Sequence, residues 1–87
     1  MFEKIFVHPR VGARHPDISE ADVVTAWQNA ISMRYRDFGM PMHILAAGMD
    51  AKGRMIEMVG AEQEDGTLIV YHAMRLTEKA AKELGLC

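Results

Sequence analysis

The 87-residue sequence has little cysteine: Cys87, its last residue, is the only one. One thiol cannot make an internal disulfide or a cysteine-based metal cluster, which predicts a reducing compartment. No apolar run approaches the ~20 residues that a membrane span requires. Residues 1–7, MFEKIFV, include Glu3 and precede no long apolar segment, so we predict no signal peptide. We therefore expect a cytoplasmic protein with no membrane partner.

Signatures of metal and phosphate sites are also missing. HxxxH and CxxC spacings, which are typical of zinc sites, do not occur, and there is no glycine-rich phosphate loop. We therefore predict neither a metal nor a cofactor. The formal net charge is −2, which argues against a general nucleic-acid binder because phosphate neutralisation requires excess Lys and Arg. A local basic patch remains compatible with this charge.

The hydrophobic pattern predicts one α+β domain over residues 1–87, with the element order β-α-β-β-β-α. KIFVHP is interpreted as a short edge strand that ends at Pro9, and RVGARHP as a loop. Ser19 and Asp22 have the spacing of a capping box, so a helix begins here. Its apolar residues recur at helical spacing, which predicts a long helix from about residue 20 to about residue 34.

Three apolar segments follow: MHILAAGM, RMIEMVGAE and TLIVYHAM, joined by DAKG and EDGT. Asp-Gly between apolar segments is typical of a hairpin, so we predict an antiparallel meander of three to four strands. Thr77 is a natural N-cap for a short C-terminal helix that ends before Gly85. These strands are apolar on both faces, which predicts either a partner over one face or cover by the N-terminal segment.

The histidines are candidates for proton transfer. Strict alternation along TLIVYHAM places Tyr71 and Arg75 on one face and His72 on the other. Tyr71 and His72 therefore cannot share a simple site unless a bulge or the end of the strand intervenes. His72 is either a general acid–base or a sheet histidine paired with a neighbour such as Glu57. His15 either serves a ligand near the first helix or is a loop residue without a task.

The arginines and lysines offer a second kind of chemistry. Arg75, Lys79 and Lys82 follow the last strand and one side of the last helix, where they form either a cationic stripe or a solvated surface. RNA cleavage requires a group that activates the 2′-hydroxyl, cations for the phosphorane charge and a contact to the base. Arg, Lys, His and Tyr can supply these without a metal.

Three segments resemble BrnT-like toxins, a branch of the RelE-like ribonuclease toxins of bacterial toxin–antitoxin pairs: RHPDISEADV, ILAAGMDAKGRMIEMV and VYHAMRLTEKAAKEL. The resemblance spans residues 14–84. Its best points are Gly53-Arg54 and the positions of Arg75 and Thr77. It implies an α+β fold, metal-independent cleavage of mRNA and a cognate antitoxin as the partner.

By position, the resemblance implies an RNA site that includes His15, Arg54, Arg75 and Lys79. With the residue-based reasoning, the catalytic candidates are His15, Arg54, His72 and Arg75. The RNA-binding candidates are Arg14, Arg34, Arg36, Lys79 and Lys82. In this interpretation Arg54 and Arg75 hold phosphate, His15 or His72 exchanges protons, and Arg75→Ala abolishes growth inhibition.

Two other hypotheses stay open. The first is a non-catalytic interaction domain that homodimerises through an apolar sheet face, favoured by the negative net charge and the eight methionines. The second is a small-molecule-binding domain with the methionine-lined sheet as the pocket wall. The sequence accordingly predicts a homo-oligomer or a hetero-complex, and RNA as a further partner.

Overall fold

A computed structural model describes residues 4–36, 39 and 41–87. In this part of the chain, five strands form one sheet and three short helices pack against it, so the predicted α+β class is confirmed. The strands are β1 (Lys4–Val7), β2 (Ala30–Tyr35), β3 (Met42–Met49), β4 (Met55–Glu62) and β5 (Thr67–Arg75). The helices are α1 (Arg10–Arg14), α2 (Glu20–Gln28) and α3 (Glu78–Glu83).

The strand order is β1-β5-β4-β3-β2. β3, β4 and β5 form the predicted antiparallel meander, and Gly53 and Gly66 in its two turns have φ angles of +80° and +88°. The expected antiparallel sheet of three to four strands is wrong at both edges. β1 pairs in parallel with β5, and β2 pairs antiparallel with β3. Hairpin signals are local, so they reveal the meander but not the pairing of distant edge strands.

The predicted long helix is also wrong. α2 begins at the expected capping box, where the Ser19 side chain accepts from the Asp22 backbone N–H, but it ends at Gln28. Ala30–Tyr35 is a strand instead. Its alternation of Ile31, Met33 and Tyr35 with polar residues has the period of a strand, and pairing with β3 favours that period.

The sheet has two differently covered faces. The inner face packs under α1 and α2, and its core contains Trp27, Ile44, Ile56, Met58 and Val70. The outer face is partly covered by α3 and its C-cap: Ala80 of the helix and the C-cap Leu84 pack on Leu45, Ala47 and Val59. No helix within the described ranges is long and apolar enough to cross a membrane.

Gly48 fixes how closely α2 approaches the sheet. A Cβ atom at this position would overlap the carbonyl oxygen of Ala26 and also approach the Ala30 backbone nitrogen to 3.0 Å. Ala26 is completely buried, and Trp27 beside it is almost so. The missing side chain at Gly48 therefore allows the end of α2 to lie directly on β3.

The segment after β1 is a helix rather than the predicted loop. α1 spans Arg10–Arg14 and buries Val11 in the inner core. Arg10 and Arg14 are four residues apart, so they lie on the same side of the helix. α1 contacts β5 beyond the end of β1, which positions both arginines beside the second half of β5.

Candidate active site

A β-bulge in β5 brings Tyr71 and His72 to the same face of the sheet. In the pairing of β4 with β5, Val59 lies opposite His72 and Gly60 opposite Val70, so Tyr71 is the extra residue. The prediction that these two side chains point to opposite faces is therefore wrong. A bulge places two residues of one strand against one residue of its partner, which breaks the alternation of side chains.

The two side chains line a pocket of about 330 Å³ on the outer face. We call it the basic pocket; its lining is Arg10, Arg14, His15, Arg36, Leu45, Glu57, Val59, Tyr71, His72 and Ala73. Arg10 and Arg14 come from α1, His15 from the C-cap of α1, and the apolar floor from β3 and β4. Three arginines and two histidines face one buried carboxylate, so the pocket suits an anionic ligand.

His72 is held by Glu57 at the base of the pocket. His72 Nε2 lies 3.0 Å from Glu57 Oε2, so the interpretation of these residues as a pair is confirmed. The other oxygen, Oε1, accepts from the Thr77 backbone N–H at 2.9 Å and from the Thr77 hydroxyl at 2.6 Å. An ionised carboxylate only accepts hydrogen bonds, so Nε2 carries the proton and Nδ1 is the nitrogen left for chemistry.

Glu57 stays ionised despite its burial. Burial raises the pKa of this carboxyl, but hydrogen bonds from Thr77 and His72 outweigh that effect, and the pKa lies below its ordinary value. The same Thr77 hydroxyl accepts from the backbone N–H of Ala80 and so caps α3. The start of α3 and the orientation of His72 therefore depend on one carboxylate.

Arg36 lines the pocket, but its guanidinium forms an ion pair with Glu83 of α3. Its Nε and Nη2 donate to the two carboxylate oxygens of Glu83, both at 2.9 Å. The hydrogen bond to Glu83 is the main reason that the pKa of Arg36 is raised. Arg34 donates to the Glu83 carbonyl oxygen at 2.9 Å. These two predicted RNA-binding arginines therefore anchor α3 to β2.

Arg54 lies in an ion-pair cluster away from the basic pocket. Its Nε donates to Asp50 at 2.8 Å, Nη2 to Asp22 at 3.0 Å, and Nη1 to the Asp17 carbonyl oxygen at 3.0 Å. The side chain is 14% exposed, and that of Asp50 is fully buried. The guanidinium is thus fully engaged in joining the β3–β4 turn to the start of α2, and it contributes no phosphate contact to the pocket.

The remaining predicted cations surround the pocket unevenly. Arg75 pairs with Ile56 on the inner face, so it lies on the side of the sheet opposite to His72. Lys79 and Lys82 lie on the exposed side of α3. Among the predicted site residues, the structure brings together Arg14, His15, Arg36 and His72, and it leaves out Arg34, Arg54, Arg75, Lys79 and Lys82.

Three pocket residues were not among the predicted site residues: Arg10, Glu57 and Tyr71. The i,i+4 spacing of Arg10 and Arg14 predicts a shared side only if a helix is assigned to RVGAR, and Pro9 and Gly12 argue against one. Tyr71 was excluded by strict alternation, and the sequence carries no local signal for the bulge. Glu57 was visible as the one charge within an apolar strand.

Among the described residues, no group of three or more His, Cys, Asp or Glu side chains is arranged to hold a metal ion. Comparisons with known proteins yield no match: no family model, no curated protein and no solved structure is significantly similar to this chain.

Proposed function

We propose that this protein is a toxin-like, metal-independent endoribonuclease that acts on mRNA and is neutralised by a cognate antitoxin. The observation that carries the proposal is the His72–Glu57 pair at the base of a pocket lined by Arg10, Arg14 and His15. The active site is therefore assigned to the basic pocket, rather than to Arg54 and Arg75. This arrangement offers a base, a second proton-transfer group and cations within one anion-sized space.

The proposed reaction is intramolecular transesterification of RNA. His72 Nδ1 accepts the proton of the 2′-hydroxyl, and the 2′-oxygen attacks phosphorus. The bond from phosphorus to the 5′-oxygen breaks as His15 donates a proton to that oxygen, which leaves a 2′,3′-cyclic phosphate and a 5′-hydroxyl. Arg10 and Arg14 stabilise the charge that develops on the phosphorane oxygens. Glu57 holds the His72 ring in place and balances its positive charge once it is protonated.

The open part of the outer face supplies surface for bases. Phe6, Ile69 and Ala61 lie side by side across β1, β5 and β4, and His43 continues the row on β3. Phe6 is half exposed, and the rings of His43 and Tyr71 meet edge to face with centroids 6.0 Å apart. Aromatic and apolar groups next to cations are typical of surfaces that bind unpaired bases of single-stranded RNA.

The proposed antitoxin fits the same surface by charge. A segment carrying carboxylates would pair with Arg10 and Arg14 and exclude RNA from the pocket. Neutralisation then requires only occupancy of the outer face, and no change in the fold. This part of the proposal predicts that RNA and the antitoxin compete.

The test is cleavage of a labelled single-stranded RNA by the purified full chain in the presence of a chelator, together with growth after induction in cells. His72→Asn should lower the cleavage rate by about 10²-fold or more. Arg10→Ala and Arg14→Ala should weaken RNA binding. Each should also reduce the slope of log K against log salt concentration by about 1, as expected for the loss of one phosphate contact. Arg75→Ala, an exposed arginine on the inner face, is the matched control and should behave as wild type.

If His72→Asn cleaves RNA at the full rate and Arg75→Ala does not cleave it, the active site lies at the end of β5 and not in the basic pocket. A wild-type chain that neither cleaves nor binds RNA, and that does not arrest growth, would refute the ribonuclease. That result would favour the alternative of a non-catalytic domain that homodimerises.

A further inference from the structure

β2 is an edge strand that carries exposed apolar side chains. It pairs with β3, and no described strand pairs with its other edge. Three of its side chains are large and exposed: Ile31 (64%), Met33 (42%) and Tyr35 (39%). Met33 and Tyr35 lie on the inner face, beyond the area that α2 covers, opposite Ala46 and Ile44. Contiguous exposed apolar side chains of this kind mark interaction surfaces.

The backbone of Met33 points away from the sheet. The Arg36 N–H donates to the His43 carbonyl oxygen at 2.8 Å, so Arg36 and His43 form a hydrogen-bonded pair. Hydrogen-bonded and non-bonded pairs alternate along antiparallel strands, so Arg34 also directs its backbone groups toward β3. Tyr35, between them, and Met33, just before Arg34, direct their N–H and C=O outward, where a further strand would receive them.

The charges that protect most edge strands are turned away from this edge. Arg34 and Arg36 bind Glu83, and the Ser32 hydroxyl donates to the Leu84 carbonyl oxygen at 2.8 Å. α3 thus holds the polar side of β2 on the outer face. Natural edges usually carry unpaired charges, prolines or bulges that prevent pairing. Here a bulge at Ile31 limits the regular part of the edge to residues 32–35.

The edge is complementary to itself. Antiparallel pairing about a two-fold axis at Met33 sets Met33 opposite its own counterpart, in the hydrogen-bonded type of pair. It sets Tyr35 opposite Ile31, the exposed apolar residue at the bulge where the regular edge ends. It also sets Ser32 opposite Arg34, so no two like charges face each other directly. The match argues for a second copy of this chain as the occupant, because an isologous contact requires such symmetry.

We propose that the outer edge of β2 is a homodimerisation surface, on which two copies pair antiparallel about Met33 and join their sheets into one ten-stranded sheet. The inference does not depend on the ribonuclease proposal, since the basic pocket faces away from the inner-face side chains of this edge. It assigns self-association to an edge rather than to the apolar sheet face.

The test is the mass of the full chain in solution by sedimentation equilibrium, with a reductant present because Cys87 is exposed. Wild type should have twice the 9.8 kDa chain mass. Met33→Lys should weaken dimerisation by about tenfold or more, because it buries like charges face to face. Met49→Lys is the matched control, since Met49 is equally exposed (45%) but lies at the end of β3. It should leave the dimer intact.

Mixing Met33→Lys with Met33→Glu provides a test of the register. Each variant alone should be monomeric, and an equimolar mixture should restore dimers of one copy each. Circular dichroism checks that the variants fold, and Tyr35→Lys is a second disrupting variant at the same edge. A monomeric wild type, including one whose edge binds another protein's strand, would overturn the proposal. A dimer that persists in both Met33→Lys and Tyr35→Lys would overturn it too.

Discussion

His72 Nε2 lies 3.0 Å from Glu57 Oε2, and His72 directly follows Tyr71, the residue at which β5 bulges. The pair therefore depends on two unrelated features. The bulge at Tyr71 turns His72 to the outer face, and Thr77 holds the carboxylate from the other side. A substitution that removes either feature is expected to change the orientation of the His72 ring, although His72 itself is unchanged.

Glu57→Gln should lower the rate of RNA cleavage and leave RNA binding unchanged. Glutamine keeps the size of the side chain but cannot balance the charge of protonated His72, so kcat should fall by about tenfold or more with little change in KM. Steady-state kinetics on a labelled RNA would measure this. Glu64→Gln, an exposed turn residue, is the control. A fall in KM alone would contradict a role for Glu57 beside the reacting group.

Thr77→Val should destabilise the fold, whereas Thr77→Ser should not. Valine removes the hydroxyl that donates to Glu57 at 2.6 Å and accepts from Ala80, so it leaves a buried carboxylate short of one donor and α3 without its cap. We expect a loss of about 1–3 kcal/mol in the free energy of unfolding, measured by urea denaturation. Equal stability of the valine and serine variants would show that neither hydrogen bond matters.

Asp22 should make the fold sensitive to acid. The hydrogen bond from the Ser19 backbone N–H and the ion pair with Lys52 lower the pKa of Asp22 from 3.8 to about 2, although burial opposes them. A carboxyl whose pKa is lower in the folded state stabilises the fold above its unfolded pKa, and this stabilisation is lost as the pH falls through the folded pKa. The Asp22 contribution should therefore disappear between pH 3.8 and about pH 2.

Comparison with Asp22→Asn isolates that contribution. At neutral pH the variant should be less stable by about 2 kcal/mol, because Arg54 loses a charged partner at 3.0 Å. The difference from wild type should shrink as the pH falls through the stated window. Asp17→Asn is the control: its side chain is 59% exposed and 3.4 Å from Arg54, so its effect should stay below about 0.5 kcal/mol. A pH-independent difference for Asp22→Asn would contradict the linkage.

Gly48→Ala should destabilise the protein, and Gly12→Ala should not. The new methyl group at residue 48 would overlap the Ala26 carbonyl oxygen, a backbone atom that can move only with α2. Overpacking of this kind costs about 1–3 kcal/mol or more. At Gly12, within α1, a Cβ meets nothing within 4 Å, and alanine should be neutral or stabilise by up to about 1 kcal/mol. Thermal and urea unfolding of both variants would decide this.

The parts of the fold that were predicted correctly depend on short-range signals. The capping box of Ser19 and Asp22, the turn glycines and the meander each arise from residues close in sequence. The contact between His72 and Glu57 could also be predicted from the sequence, because one charged residue within an apolar strand requires a partner.

The parts that were missed depend on tertiary context. AISMRY is compatible with either a helix or a strand, and the neighbouring edge of β3 favours the strand. The bulge at Tyr71 has no sequence signature, so the candidate site was placed at Arg75 rather than in the basic pocket. Arg54 was assigned to phosphate by the resemblance, and two of its three carboxylate neighbours, Asp17 and Asp22, come from a segment distant in sequence.

The parallel pairing of β1 with β5 has a consequence for synthesis on the ribosome. Lys4 lies opposite Thr67, so β1, which is made before the other described strands, gains a neighbour in the sheet only once β5 has been made. Such distant pairing slows folding because a long loop closes first. Arg10 and Arg14 likewise meet His72 only after β5 has emerged. A nascent chain that is interrupted before β5 therefore has no assembled pocket, and any activity that depends on the pocket begins only after β5 has been made.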